Sequence, residues 1–349
     1  MGNRFWDGLR RRFAAAYPFP PPAVASPADA AAVKAALVAF LAQDEPRFRT
    51  HFLRGMPLVA QPEERERFAL FARAGLVQPV LAGGHRPCVH VFPLRGAMIA
   101  TDLRTRRELD QVFPLMFEQA YIVQTMDVRP GDRVLELCLG SGVNSLFAAD
   151  AASRVVGVDV NPRALGFARF NAALNPSRTP IDARLGSLYA PLAADETFDV
   201  VLVNPPFEPV PPGSAHFLHS HGGWDGLDVV REILAGAPAR LRPGGRFEMF
   251  TWSPGGDASV LVADLAQAAF PGRRIEVHLA DSAPLDDRIA AFRDAPGFAA
   301  WRARLVAAGF TRVAGVFLRA TPEGPPGIEM IDRTDTVEAA RQTARAWLE

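Results

Sequence analysis

Residues 204–207 read Asn-Pro-Pro-Phe and follow an apolar, strand-like run, FDVVLV at 198–203. Two consecutive prolines hold the backbone extended and remove two N–H donors. What remains on that stretch is rich in acceptors: the side-chain oxygen of Asn204 and the carbonyl of Pro205. Two acceptors held side by side can grip both hydrogens of an –NH2 group and aim its nitrogen at an electrophile. Pro206 stiffens the segment, and Phe207 can stack on a planar conjugated group. A Pro-Pro turn leaving a strand is, by itself, the plainer explanation. Its place on a strand end that faces a glycine turn favours the chemical one.

That turn lies in LELCLGSGVNS, residues 135–145. Gly140 and Gly142 flank Ser141 where a strand gives way to a helix, and their lack of a β-carbon lets backbone approach a ligand. Glu136 stands inside the strand. Asp159 ends the next strand, about 20 residues on, where an acid accepts hydrogen bonds from ribose hydroxyls. Two nucleotide cofactors compete for such a site. A dinucleotide favours G-x-G-x-x-G over a helix N-terminus, but here Ser145 replaces the third glycine and Glu136 would repel a pyrophosphate. S-adenosylmethionine carries a sulfonium and an ammonium group, and an acid beside the loop suits it.

Weaker constellations surround these two. HFLHSH places His216, His219 and His221 just after the Asn-Pro-Pro-Phe segment. The three readings are a loop that touches substrate or takes a proton, a plain solvated loop, and a metal site. No carboxylate or cysteine stands adjacent to support the last, so no metal is expected. Cys88 and Cys138 are too few for a disulfide framework, and Cys138 reads as a small core residue. Trp224 and Trp252 read as packing, Asp286-Asp287-Arg288 as surface, and Arg10–Arg12 as a short solvated arm.

From about residue 130 onward, strand-like runs alternate with helical ones of 10–15 residues, which predicts a doubly wound, mostly parallel α/β sheet of seven strands. Ahead of it, DAAAVKAALVAFLAQD, a segment with Phe48, Phe52 and Leu53, and one starting at Pro62 predict three helices, followed by a hairpin, CVHVF and AMIATD. That order is winged-helix-like. The expected division is an arginine- and proline-rich arm and linker at 1–28, an N-terminal substrate or accessory domain at 29–110, a cofactor-binding catalytic domain at 111–320 and a tail at 321–349. The chain has 349 residues, 49% hydrophobic and 22% charged, a globular composition. Lys+Arg and Asp+Glu are 38 each, so no global field gathers nucleic acid or an anionic membrane. Lys34 is the single lysine; arginine with abundant alanine reads as the codon bias of a GC-rich bacterial genome. No apolar run approaches the ~20 residues of a membrane span. MGNRFWDGLRRRF lacks a signal-peptide core. The expectation is a cytoplasmic protein.

LELCLGSG, GVDVNPRALGFARFNAALN, FDVVLVNPPF and GGWDGLDVVREIL…LRPGG together resemble the class I S-adenosylmethionine-dependent methyltransferases of the Asn-Pro-Pro-Phe/Tyr type. In pattern they are similar to the release-factor glutamine methyltransferases and related small-domain enzymes, some of which modify rRNA guanine or tRNA adenine. The resemblance covers about residues 120–252. It implies a Rossmann-like fold, with Gly140, Gly142 and Asp159 on the cofactor and Asn204–Phe207 positioning an amide, amino or exocyclic nitrogen. Ser187 stands where many relatives carry an acid that holds adenine. Residues 1–110 carry no such resemblance, so a protein glutamine is not implied as substrate. The leading expectation is N-methylation of a planar nitrogen on a small molecule or peptide. A protein glutamine or other side chain, and then an RNA or DNA base, follow. A non-catalytic binding module is the reading from another class, and the intact Asn204–Phe207 segment argues against it.

Overall fold

The computed structural model describes residues 20–80, 84–256 and 259–348. Arg10, Arg11 and Arg12 lie outside them. The proline run is no free spacer. Pro22 is buried, Ala23 N donates to Ala74 O at 3.1 Å, and a Cβ on Gly166 would sit 2.6 Å from the Pro21 ring.

Ser26 caps α1 (Pro27–Gln43), its Oγ accepting from Asp29 N at 3.1 Å, with Pro27 where a missing N–H costs nothing. A short helix, Glu45–Phe48, runs into a π-turn, Arg49–Leu53. α2 (Arg65–Arg73) follows the 3-10 turn Pro62–Glu64. Phe40 of α1 meets Phe48 and Phe68 edge-on, each at 5.8 Å. Three short strands, β1 (Leu58–Val59), β2 (Val77–Pro79) and β3 (Gly84–Pro87), form a small sheet in the order β1-β3-β2. Their lengths explain why no sequence signal marked them. The expected hairpin is present as β4 (Val89–Leu94) and β5 (Ala97–Asp102), turning at Arg95 and Gly96, both with positive φ. All six residues of β5 are buried, so this hairpin is not an exposed wing.

α3 (Phe117–Thr125) leads into the main sheet and was not anticipated, because Met116 ahead of it is not a usual cap; Gln119 Oε1 takes the Met116 N–H instead, at 2.8 Å. Then come β6 (Arg133–Leu137), α4 (Val143–Ala148), β7 (Arg154–Asp159), α5 (Pro162–Leu174), β8 (Ile181–Leu185) and β9 (Phe198–Val203). α6 (Asp228–Gly236), β10 (Leu241–Gly255), α7 (Leu261–Ala269), β11 (Arg274–Pro284), α8 (Phe298–Ala307), β12 (Arg312–Thr321), β13 (Gly327–Met330) and α9 (Thr334–Leu348) complete the chain.

The sheet has eight strands in the order β13-β11-β12-β10-β9-β6-β7-β8. The count of seven is corrected by β13, an edge strand beside β11 whose Ile328 and Met330 stay exposed and so left no apolar run to read. β10 through β8 run parallel, while β12 is antiparallel to both neighbours. β6 has β7 on one side and β9 on the other, so the order reverses there and a crevice opens at their carboxyl ends. One apolar cluster runs without a break from Phe40 and Phe92 through Phe167 and Phe250 to Trp347. It crosses the expected boundary at residue 110. The tail is part of it: Trp347 of α9 lies 5.3 Å from Phe92, and its N–H donates to Pro93 O at 3.0 Å.

Candidate active site

Register sets the two motifs side by side. Leu137 pairs with Val203, so Cys138 and Asn204 are the first residues beyond adjacent strand ends. A cavity of about 390 Å³ opens there, within the usual range for a ligand pocket.

The glycine turn is built from left-handed residues. Cys138 has φ +59°, Gly140 +54° and Gly142 +77°. A Cβ on Gly142 would lie 2.9 Å from Ala168 Cβ of α5, so this glycine also brings turn and helix together. A Cβ on Gly140 would come no nearer than 3.9 Å to a neighbour, Cys138 O, so the glycine is needed for its φ. Cys138 therefore is not a plain core residue: it lines the cavity in a conformation that disfavours any side chain.

Two acids lock the turn. Asp159 Oδ2 accepts from Gly140 N and its Oδ1 from Asn161 N, both at 2.8 Å. Glu136 is buried under α4. Its Oε1 accepts from Asn144 Nδ2 at 3.0 Å, and its Oε2 from Ser145 N at 2.8 Å and Ser145 Oγ at 2.5 Å. It serves the donors of the first helical turn as a cap would. Ser145, which breaks the dinucleotide pattern, is thus the partner of Glu136. Burial raises Glu136 to about 7 and Asp159 to about 6.

On the other wall, Asn204 Oδ1 is buried and has no hydrogen-bond partner. Buried acceptors are rarely left so, and Asn204 lines the cavity. Behind the segment, a Cβ on Gly226 would lie 2.6 Å from Phe207 O, and one on Gly222 2.8 Å from Phe207 C. The GGWDG stretch passes that close because it has no side chains there. Phe207 meets Phe250 edge-on at 5.3 Å and Trp252 at 5.2 Å, and the Arg288 guanidinium covers Trp252 at 4.3 Å. Trp252 and Arg288 thus back the acceptor wall, whereas Trp224 packs on Phe310 and Arg304 away from it.

The three histidines part company. His219 lines the cavity, bonded through Nε2 to Gln111 Oε1 at 3.1 Å and through Nδ1 to Ser220 Oγ at 2.9 Å. Burial holds it neutral, near about 4. His216 pairs with Glu208 at 2.6 Å, and neither it nor His221 lines the cavity. Among the described residues no cluster of three His, Cys, Asp or Glu could hold a metal. Ser187 lines the wall next to Gly186 and Leu188. Gln111, Phe113, Phe117 and Glu118 line the cavity from an irregular stretch and from α3, where no motif or periodicity marks them.

The arrangement fits S-adenosylmethionine. Glu118, Glu136, Asp159, Glu208 and Glu232 line the cavity, and among the described residues no lysine or arginine does. A ligand with a sulfonium and an ammonium group matches that field, and a pyrophosphate does not.

A family model, the methyltransferase small domain, matches residues 118–268. The release factor glutamine methyltransferase of Cereibacter sphaeroides is 34% identical over 160 residues, covering 42% of this chain and 55% of that protein. A ribosomal protein uL3 glutamine methyltransferase of Bradyrhizobium diazoefficiens is 37% identical over 124 residues, 33% of this chain and 39% of that one. A candidate protein N5-glutamine methyltransferase of Methanocaldococcus jannaschii is 30% identical over 145 residues, 39% of this chain and 69% of its own length. The chain spans no more than about half the length of the first two. With the glycine turn, the paired acids and Asn204–Phe207 in place around one cavity, the chain belongs to the small-domain family of S-adenosylmethionine-dependent methyltransferases.

Proposed function

We propose that the protein methylates the side-chain amide nitrogen of a glutamine in a polypeptide. The buried, unpartnered Oδ1 of Asn204 on the cavity wall carries this reading. The names of the relatives, all protein glutamine methyltransferases, support it. When bound, S-adenosylmethionine supplies an electrophilic methyl carbon; Gly140, Ser141, Gly142 and Asp159 would hold its nucleoside side and Ser187 lies on the same wall. Asn204 Oδ1 and the Pro205 carbonyl accept the two amide N–H groups. That grip fixes which face of the nitrogen is presented and adds electron density to it. Phe207, steadied by Phe250 and Trp252, gives the amide plane a flat surface. Positioning of this kind supplies roughly 7–11 kcal/mol of a barrier. The methylated nitrogen is acidic until it sheds its proton, so no strong base is required, and His219, held neutral, stays a wall residue.

A nucleic-acid base is the weaker reading, since among the described residues a phosphate-bearing substrate finds no lysine or arginine on the cavity wall. Among the described residues no helix is long and apolar enough to cross a membrane. The test is incubation with a methyl-labelled donor and either glutamine-containing peptides or a fractionated extract, read by mass spectrometry. One labelled methyl on a glutamine nitrogen is the expected product. Label found only in RNA, or only in small molecules, would overturn the assignment.

A further inference from the structure

Two asparagines four residues apart meet the hairpin, Asn171 on the last turn of α5 and Asn175 as its C-cap. Asn171 Oδ1 accepts from Ala100 N at 2.8 Å while its Nδ2 donates to Ala100 O at 2.9 Å. Asn175 repeats the pattern on Met98, accepting from its N at 3.0 Å and donating to its O at 2.8 Å. The spacing is geometric: two strand residues rise about 6.8 Å and four helical residues about 6 Å. Both side chains are buried, and together they pair the edge of β5 that β4 leaves open.

The two differ in one bond. Asn171 Nδ2 also donates to Ser141 O at 2.9 Å, whereas the second bond of Asn175 Nδ2 goes back to Asn171 O at 3.0 Å. Ser141 sits between two left-handed glycines and has no bulky neighbour in the chain to steady it. The peptide that joins it to Gly142 is held on one side by Gly142 N donating to Leu139 O at 2.8 Å and on the other by Asn171. Without Asn171 the carbonyl end of that peptide is free to turn, and the turn loses its shape for a ligand.

We propose that Asn171 is a positioning residue of the cofactor loop, and that through it the N-terminal hairpin becomes a working part of the methyl-donor site. The inference rests on the assignment of Gly140–Gly142 to the cofactor. A second link runs in parallel. Asp102, at the end of β5, accepts from Arg163 Nε at 2.8 Å, and Arg163 N donates to Asn161 Oδ1 at 2.9 Å, next to Asp159. The hairpin therefore braces both cofactor loops from behind.

Asn175 is the built-in control, because it makes the same bonds to the same strand and none to the glycine turn. In the full chain, Asn171→Ala and Asn175→Ala should lose similar thermal stability. Titrated by calorimetry with S-adenosylhomocysteine, Asn175→Ala should stay within about twofold of wild type, and Asn171→Ala should weaken about tenfold. Hydrogen exchange in ligand-free protein should rise over residues 138–145 in Asn171→Ala alone. Asn171→Leu and Asn175→Leu, close in shape and without polar atoms, give the same comparison if the alanine variants fold poorly. Equal affinities, and equal exchange over 138–145, in the Asn171 and Asn175 variants would overturn the inference. Wild-type protein that binds neither S-adenosylmethionine nor S-adenosylhomocysteine would overturn the cofactor assignment itself.

Discussion

Asn204→Ala separates activity from stability in a way the structure makes quantitative. In most buried sites, removing a side-chain acceptor leaves a protein donor unpaired and costs stability. Here Asn204 Oδ1 has no partner to lose. Truncation removes a desolvated orphan, so the melting temperature should hold steady or rise. The bond it makes exists only when an acceptor nitrogen is in place. Losing it leaves a substrate N–H unpaired, worth roughly 1–3 kcal/mol, and a loosened nitrogen gives up part of the positioning advantage as well. Together these predict a fall in kcat of about 100-fold, or ~2.7 kcal/mol in the barrier. Cofactor affinity should change little, because the glycine turn and Asp159 hold their own bonds. The assay is single-turnover methylation, thermal unfolding and calorimetric cofactor titration on one preparation. Near-native turnover would refute the reasoning, and so would a stability loss equal to the loss of rate.

Cys138→Gly should raise stability by about 1 kcal/mol in chemical denaturation by relieving the left-handed φ of +59°; a loss would show that the thiol's packing outweighs the strain. Burial raises Glu136 to about 7 from 4.5 and Asp159 to about 6 from 3.8, so the folded state holds their protons more tightly than the unfolded one. Their contribution is full below about pH 4 and is lost as pH rises through 6–7; Glu136→Gln should flatten that part of the stability profile, measured as the difference from wild type because His51, His90, His219 and His278 act in the opposite sense. Trp347→Ala should cost about 3–5 kcal/mol, since the side chain is buried against Phe92 and bonded to Pro93; a change under 1 kcal/mol in denaturant unfolding would mean that α9 does not clamp the N-terminal hairpin.

Local chemistry made the residues that meet at the cavity legible in the chain itself. Two glycines that need positive φ, a Pro-Pro pair that strips donors from a strand end and an acid closing the next strand are each dictated by a few adjacent residues. Strand and helix alternation placed the strands from β6 to β12, since buried parallel strands are continuous apolar runs. Tertiary structure alone decided what those residues touch. Glu136 reads as a charge beside the cofactor loop; only folding shows that Ser145 and Asn144 of α4 also bond its oxygens. The three histidines fall within six residues, yet only His219 of them lines the cavity, since loop path and not spacing aims a side chain outside regular structure. Gln111, Phe113 and Glu118 line the cavity from a stretch without periodicity. The proline run and the tail read as appendages but are cemented by contacts with residues far along the chain, Pro21 with Gly166 and Trp347 with Pro93. So is β5, whose open edge finds its partners in two asparagine amides, one on α5 and one at its C-cap, and not in another strand. Sequence periodicity reports which face of an element is apolar; it carries no record of which distant polar group will meet it, and that meeting is where this site acquires its shape.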